Sequence, residues 1–240
     1  GLGGAELTRR WETVQRQLRE NGVTYNVYDD SRGMHRPWQL DPVPLLLQAE
    51  EWRLLDRGLA QRAYLLNLIL DDVYGPRSLV RQRVLPPEVV YRNPGFLRPC
   101  VGSQPRGSRW LHLYAADIAR DPQGRFSVLG DRTQAPSGMG YALENRIVLS
   151  RVFPTLYRDC RVQRLAGFFR TLLDVIQRLS PRNQERSHAV VLTPGPYNET
   201  YFEHAYLARY LGLPLVEGGD LTVRSNQVFL KTLSGLTRVD

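Results

Sequence analysis

The residues of this sequence that can do chemistry concentrate between Asp117 and Arg151. Two aspartates, Asp117 and Asp131, flank the turn signal Asp121-Pro122-Gln123-Gly124, so an antiparallel hairpin brings them towards one another from opposite arms. Hard divalent cations take oxygen ligands, and a cation beside phosphates needs one or two carboxylates from the protein. Glu144, on the helix predicted to follow, is a third candidate ligand. Asn145 adjoins it, and neighbours on a helix point different ways, so only one of the two is expected to reach the same ion. Arg132, Arg146 and Arg151 offer planar guanidinium forks suited to phosphate oxygens. Between them runs Pro136-Ser137-Gly138-Met139-Gly140, a small-residue loop where Ser137 and Gly138 are candidate phosphate contacts. Solvated loop ends and salt bridges account for the same residues without a ligand, and on the residues alone both readings stay open.

Elements must position these groups. Residues 110–117 are predicted as a strand ending on a carboxylate, and 125–130 as its return arm. Helices are predicted near 141–159 and 162–179, with spacing suited to packing on one face of a sheet. Earlier in the chain, Leu7, Trp11, Val14 and Leu18 recur at helical spacing, and Asn21-Gly22 supplies a stop. Residues 23–28 read as a short strand, and 38–44 as an extended connection enforced by two prolines. Residues 49–74 form one long helix or two broken at Gly58, with a stripe of Trp52, Leu55, Leu59, Ala63, Leu66 and Leu70 read as core. A short helix is expected at 77–82.

The last quarter alternates strand (189–193), helix (199–211) and strand (213–216), then a hairpin of 221–223 with 227–232. Strand-helix-strand spacing argues for a parallel α/β unit. Tyr197, Asn198 and Glu199 stand at its strand-to-helix junction, a place suited to holding substrate; N-capping by Asn198 explains that residue equally well. The fold class expected is α/β (α+β), a helical N-terminal region on a mixed sheet with a small parallel unit. The division expected is 1–109, 110–187 and 188–240.

Composition narrows the classes. Length suffices for one large domain or two small ones, and 42% hydrophobic with 23% charged residues is ordinary for a globular protein. No apolar run approaches the roughly 18 residues of a membrane span. Residues 1–6 lack the basic region and apolar core of a signal peptide, and Cys100 and Cys160 make no disulfide framework. A cytoplasmic protein without a membrane segment is the expectation. The net charge of +8 invites nucleic acid as a partner. Yet 31 of the 32 basic residues are arginine, spread along the chain without a zinc-finger or RNA-reading motif. An anionic small-molecule site suits that composition as well, and nucleic acid is not expected. His112 reads as a core strand residue, and His204 lacks a second histidine at metal-ligand spacing. Ser137-Gly138-Met139-Gly140 lacks the lysine of a Walker loop.

Three segments carry a resemblance: NPGFLRPC (93–100), DRTQAPSGMGYALENRIVLSR (131–151) and TPGPYNETYFEHAYLARYLGLPLVEGGDLTV (193–223). In this order they resemble the circularly permuted type 2 ATP-grasp family, over nearly the whole chain. More distantly, the hairpin of residues 111–137 is similar to the metal-binding hairpin of glutathionylspermidine synthases. There, a strand ending in Asp is followed by a Glu-x-Asn strand end and a small polar loop. The resemblance implies an ATP-grasp-like mixed sheet, ATP and Mg²⁺ as cofactors, and ATP-dependent joining of a carboxylate to an amine through an acyl phosphate. It implies Asp117 and Asp131 as Mg²⁺ ligands, with Thr133 where the related enzymes have asparagine, and Glu144 or Asn145 as a further ligand. Arg132 and Arg146 are implied as catalytic phosphate contacts offsetting charge on the transferring phosphoryl group. A peptide-like substrate is implied by analogy with the synthases. Family members continue well beyond the position of Asp240, and that later part supplies much of the nucleotide grip, so a fragment and a natural short form both stay open, and turnover of ATP by these residues alone is not expected. The competing expectation is a non-catalytic module that keeps the fold to engage a peptide or protein. Oligomeric state leaves no mark in the sequence.

Overall fold

The computed structural model describes residues 3–26, 36–41, 43–105, 107, 109–182 and 187–240. The chain forms two compact units, Leu45–Pro136 and the combination of Gly1–Pro44 with Ser137–Asp240. The first helix belongs to the second of these units because it packs on one from the middle of the chain. Helices and small sheets together make an α+β fold, as expected. Among the described residues the strands form three separate small sheets rather than one. Among them, too, no helix is long and apolar enough to cross a membrane.

In the Leu45–Pro136 unit, α2 (Ala49–Tyr74) runs unbroken through Gly58; α1 (Gly4–Glu20) belongs to the other unit. It starts in a capping box: the Gln48 side chain accepts the Glu51 N–H, and Glu51 reaches back to the Gln48 N–H. Only Leu55, Val73 and Tyr74 of its apolar residues are buried. The stripe expected to be core is therefore core only in part, and Leu54, Leu65 and Leu68 beside it are exposed. After Gly75 come α3 (Ser78–Arg81) and α4 (Pro87–Tyr91), wrapped on a small core of Val73, Tyr74 and Val90. The Tyr74 ring stacks between Phe96 and Trp110. Strands β1 (Ala115–Arg120) and β2 (Phe126–Arg132) form an antiparallel ribbon. β1 begins five residues later than expected (115 against 110) and runs past Asp117, which lies within the strand instead of ending it. His112 precedes the strand and is exposed, not core. The reason is that Asn67 Oδ1 accepts the backbone N–H groups of both Trp110 and Leu111, which ties this stretch to α2.

In the other unit, α1 (Gly4–Glu20) buries Val14 and Leu18 against Tyr141, Val148 and Val152. Those residues belong to α5 (Met139–Val152). The expected helix of 141–159 is split by Pro154, which starts α6 (Pro154–Asp159), and α7 (Ala166–Leu179) follows. These helices pack on helices: Leu143 of α5 and Phe169 of α7 meet Tyr206 of α8 (Tyr201–Leu211). The parallel unit is as expected, with β3 (Val191–Thr193) pairing β4 (Leu215–Glu217) across α8. Strands β5 (Leu221–Arg224), β6 (Gln227–Thr232) and β7 (Gly235–Arg238) make an antiparallel meander whose third strand the pattern did not reveal. Of the strand expected at 23–28, Thr24 makes a single bridge to Pro37, and Val27 and Tyr28 lie outside the described residues.

Candidate functional site

The ribbon decides where the two aspartates point. Directly opposed residues of an antiparallel pair share a face, and successive residues alternate. Asp117 is opposite Gly130 and Asp131 is opposite Ala116, so the two carboxylates leave opposite faces. Their partners agree. Arg132 donates from Nε to Asp117 Oδ2 at 3.0 Å on one face. On the other, Arg62 of α2 binds Asp131 through Nε at 2.6 Å and Nη2 at 2.7 Å, and the Tyr114 hydroxyl donates to it at 2.6 Å. Arg62 first, then Tyr114, holds the Asp131 carboxyl down to about 2. Burial, then the hydrogen bond to Asp131, pushes the Tyr114 hydroxyl up to about 12. A cation shared by Asp117 and Asp131 does not fit this geometry: the oxygens face away from each other and each carboxylate already has a guanidinium. Among the described residues no group of three or more His, Cys, Asp or Glu side chains is placed to hold an ion.

The small-residue loop is also committed. Glu203 on α8 is 2% exposed, and its carboxylate accepts the backbone N–H groups of Gly138 and Gly140, each at 2.8 Å. Gly138 is the N-cap of α5 and has no side chain to satisfy these donors. Glu203 therefore supplies, from a distant helix, the negative group that a helix N-terminus favours. The expectation that the Gly138 N–H meets phosphate is corrected here, because an internal anion occupies it. Gly140 must lack a side chain: a Cβ there would stand 2.9 Å from Glu203 Cγ. Ser137, one residue before Gly138, is exposed.

Further along α5 the three polar neighbours diverge. Glu144 is 3% exposed and accepts from Asn21 Nδ2 at 2.6 Å. Burial first, then the neighbouring Glu144 carboxylate, raises the Tyr206 pKa. Asn145 Oδ1 accepts from Trp38 Nε1 at 2.9 Å, and the Trp38 ring stacks on Tyr141 at 4.4 Å. Arg146 donates to the Gln163 carbonyl at 2.8 Å and lies over the Tyr157 ring. Glu144 thus ties α1 to α5 as a buried acceptor. Asp117, Asp131 and Arg132 belong to one unit, and Glu144, Asn145 and Arg146 to the other.

At the strand-to-helix junction, Asn198 Oδ1 accepts the Thr200 N–H and hydroxyl, while Thr200 is the residue that precedes the first turn of α8. Asn198, the expected N-cap, thus lies two positions before the actual one, Thr200. Glu199 accepts from the Tyr25 hydroxyl at 3.1 Å, and Tyr197 is 76% exposed. Behind them His204 Nδ1 meets Thr193 Oγ1 at 2.9 Å, and its Nε2 meets Thr200 Oγ1 at 3.2 Å. Because the Thr200 hydroxyl donates to Asn198, it must accept from His204, so Nε2 carries the proton and Nδ1 accepts from Thr193. Burial lowers the His204 pKa, against the opposing charge of Glu203.

One concavity stands out in the Leu45–Pro136 unit. A groove of about 640 Å³ runs between α2 and the ribbon, lined by Leu54, Leu65, Leu68, Ile118 and Phe126, with Arg62 the one charged residue along it. Arg62 is neutralised by Asp131, so the lining suits an uncharged group better than a triphosphate. Arg62, Tyr114 and Glu203 are not among the site residues expected from the sequence. A signal existed only for Glu203, which lies three and four residues before Tyr206 and Leu207 on an apolar helical stripe.

Comparison with known proteins supplies what the geometry lacks. A model of the family "Circularly permuted ATP-grasp type 2" matches residues 44–240. The chain is similar to uncharacterized protein sll0335 of Synechocystis sp., 39% identical over 234 residues that are 98% of this chain and 49% of the relative. It is 41% identical over 246 residues to uncharacterized protein Rv2567 of Mycobacterium tuberculosis, covering 99% of this chain and 28% of that one. With uncharacterized protein Rv2411c of the same organism it shares 39% over 236 residues, 98% of this chain and 42% of the relative. The chain thus spans half or less of the length of these relatives.

Proposed function

The chain belongs to the circularly permuted ATP-grasp type 2 family, and from that premise we propose that it forms part of an ATP-dependent carboxylate–amine ligase. The family match over residues 44–240 is the observation that carries this reading. ATP, when bound, would supply the phosphoryl group that turns the acid into an acyl phosphate with release of ADP; the amine would then attack the acyl carbon, losing a proton and displacing phosphate to leave the amide, and acid and amine are peptide-like in this proposal.

Within the chain, Arg132 is the phosphate contact the geometry supports. Both it and its partner Asp117 are exposed, and such a pair exchanges partners readily in water. The guanidinium can then take a phosphate oxygen through its planar fork. Arg146 is held by the Gln163 carbonyl and Tyr157, so its part is to fix α5. Tyr197 at the junction is the substrate contact proposed, with Asn198 and Glu199 shaping the turn that presents it. No step is assigned to a metal shared by Asp117 and Asp131, which the ribbon's register does not allow. If Mg²⁺ enters, it does so with the nucleotide and one aspartate at most.

The second reading, a non-catalytic module that engages a peptide or protein, is favoured by one observation: both aspartates and the α5 N-terminus are already neutralised within the chain. Thermal unfolding with and without ATP and Mg²⁺ separates the two. Ligase function predicts stabilisation of about 2.7 kcal/mol at a hundredfold excess over Kd, diminished in Arg132→Gln. No shift with saturating nucleotide leaves the module reading in place.

A further inference from the structure

Residues 77–109 hold seven arginines and a single acidic residue, Glu88, and so contain most of the chain's net charge of +8. Six of them, Arg77, Arg81, Arg83, Arg92, Arg98 and Arg109, are described, and all six are exposed. None takes part in an ion pair among the described residues, whereas most other interacting arginines of this unit are matched: Arg62 with Asp131, Arg120 with Glu51, Arg125 with Asp121. The segment wraps one small core, Val73, Tyr74 and Val90, so its exposed side chains form the outer surface of one local body. That surface also exposes aliphatic groups, Val84 at 67%, Val89 at 58% and Leu97 at 56%.

Two arginines are held where arginine is conformationally disfavoured. Arg77 and Arg83 have φ of 58° and 60°, the left-handed region that glycine adopts without cost. At those two points the backbone itself does not call for a long cationic side chain.

We propose that this face docks an acidic polypeptide segment of another protein, one in which carboxylates alternate with aliphatic side chains. Charge complementarity sets the acidic character, since six exposed guanidiniums that form no ion pair among the described residues are bidentate receptors for carboxylates. The aliphatic groups between them set the apolar character of the partner. Nucleic acid is a poorer match: Phe96 and Trp110 stack on Tyr74, and Tyr91, though 40% exposed, packs edge-on against Phe96, so these rings are engaged with one another. Its helices, of four and five residues, are too short to read a groove or lie in a membrane surface.

The test measures fluorescence anisotropy of a labelled peptide of glutamates interrupted by leucines, against the whole 240-residue chain. An all-glutamate peptide, a single-stranded oligonucleotide of equal charge and phosphatidylserine vesicles are run beside it. The Glu/Leu peptide is expected to bind most tightly and to weaken with salt. Arg77→Gly with Arg83→Gly is the informative variant, because it removes two cations while relieving the backbone. It is expected to weaken the peptide roughly tenfold or more with unfolding temperature unchanged or higher. Arg92→Gln with Arg98→Gln repeats the measurement by a route that leaves the turns alone, and Arg170→Gln in the other unit is the control that changes nothing. Failure of the peptide to bind, equal affinity in the arginine variants, or tighter binding to the oligonucleotide or the vesicles overturns the proposal. Because no nucleotide is present, the outcome is independent of the ligase reading.

Discussion

Truncating Glu203 to alanine is the perturbation that most directly tests how the loop before α5 is held. The carboxylate is buried and is the acceptor for the Gly138 and Gly140 N–H groups at 2.8 Å. Removing it leaves two donors without a partner at the start of a helix, at about 1–3 kcal/mol each for groups that water does not reach. Gly140 is buried but Gly138 is only partly so, which places the expected loss at about 2–4 kcal/mol. Glu203→Gln keeps the shape and one acceptor oxygen but turns an amide N–H towards a backbone N–H, so about half that loss is expected. The assay is thermal or urea unfolding followed by a probe in this unit, such as the Trp38 ring stacked on Tyr141. A small anion provides the sharper readout: formate should restore part of the lost stability in Glu203→Ala and none in the wild type, because it can occupy the vacated helix N-terminus. Gly140→Ala should destabilise by about 1–3 kcal/mol, through the contact its Cβ makes with Glu203 Cγ. Wild-type stability in Glu203→Ala, or formate acting equally on both proteins, would refute the reasoning.

Two further outcomes follow from the protonation states. Asp131 is depressed to about 2 by Arg62 and Tyr114, so its contribution to the fold is present above the ordinary aspartate range and is lost as pH falls from about 4 towards 2. In Arg62→Gln the acid limb of the stability curve should shift upward in pH, and an unchanged limb would mean that the pair is not formed in solution. His204 is lowered by burial, so its contribution is present above its ordinary value of 6.5 and declines as pH falls through the lower folded value. Nitrogen NMR should report a neutral ring protonated at Nε2 at neutral pH, and a proton on Nδ1 instead would contradict the hydrogen-bond chain through Thr193 and Thr200.

The elements that the sequence made legible are those whose evidence is local. The α1 stripe of Leu7, Trp11, Val14 and Leu18, the Asp121–Gly124 turn, and the β3–α8–β4 alternation all rest on periodicity and turn chemistry within a few residues. Boundaries slipped where a distant partner intervened. Residues 110–114 carry a strand-like pattern, yet Asn67 of α2 takes two of their N–H groups and β1 starts later. Asn198 looks like an N-cap, and its side chain binds Thr200, so the helix starts two residues further on. The family was legible because three long motifs in order are a property of the chain alone.

What the sequence by itself determined is the set of groups: aspartates on both arms of a hairpin, a glycine loop, arginines in place of lysines along the chain, and membership in a family of ATP-grasp proteins. Only the tertiary structure decided how those groups are used. A single residue of register separates the faces on which Asp117 and Asp131 emerge, because side chains alternate along a strand. A glutamate more than sixty residues away fills the helix N-terminus that looked open to phosphate. Charge neutralisation depends on which groups come within about 3 Å of one another, and distance along the chain says nothing of that.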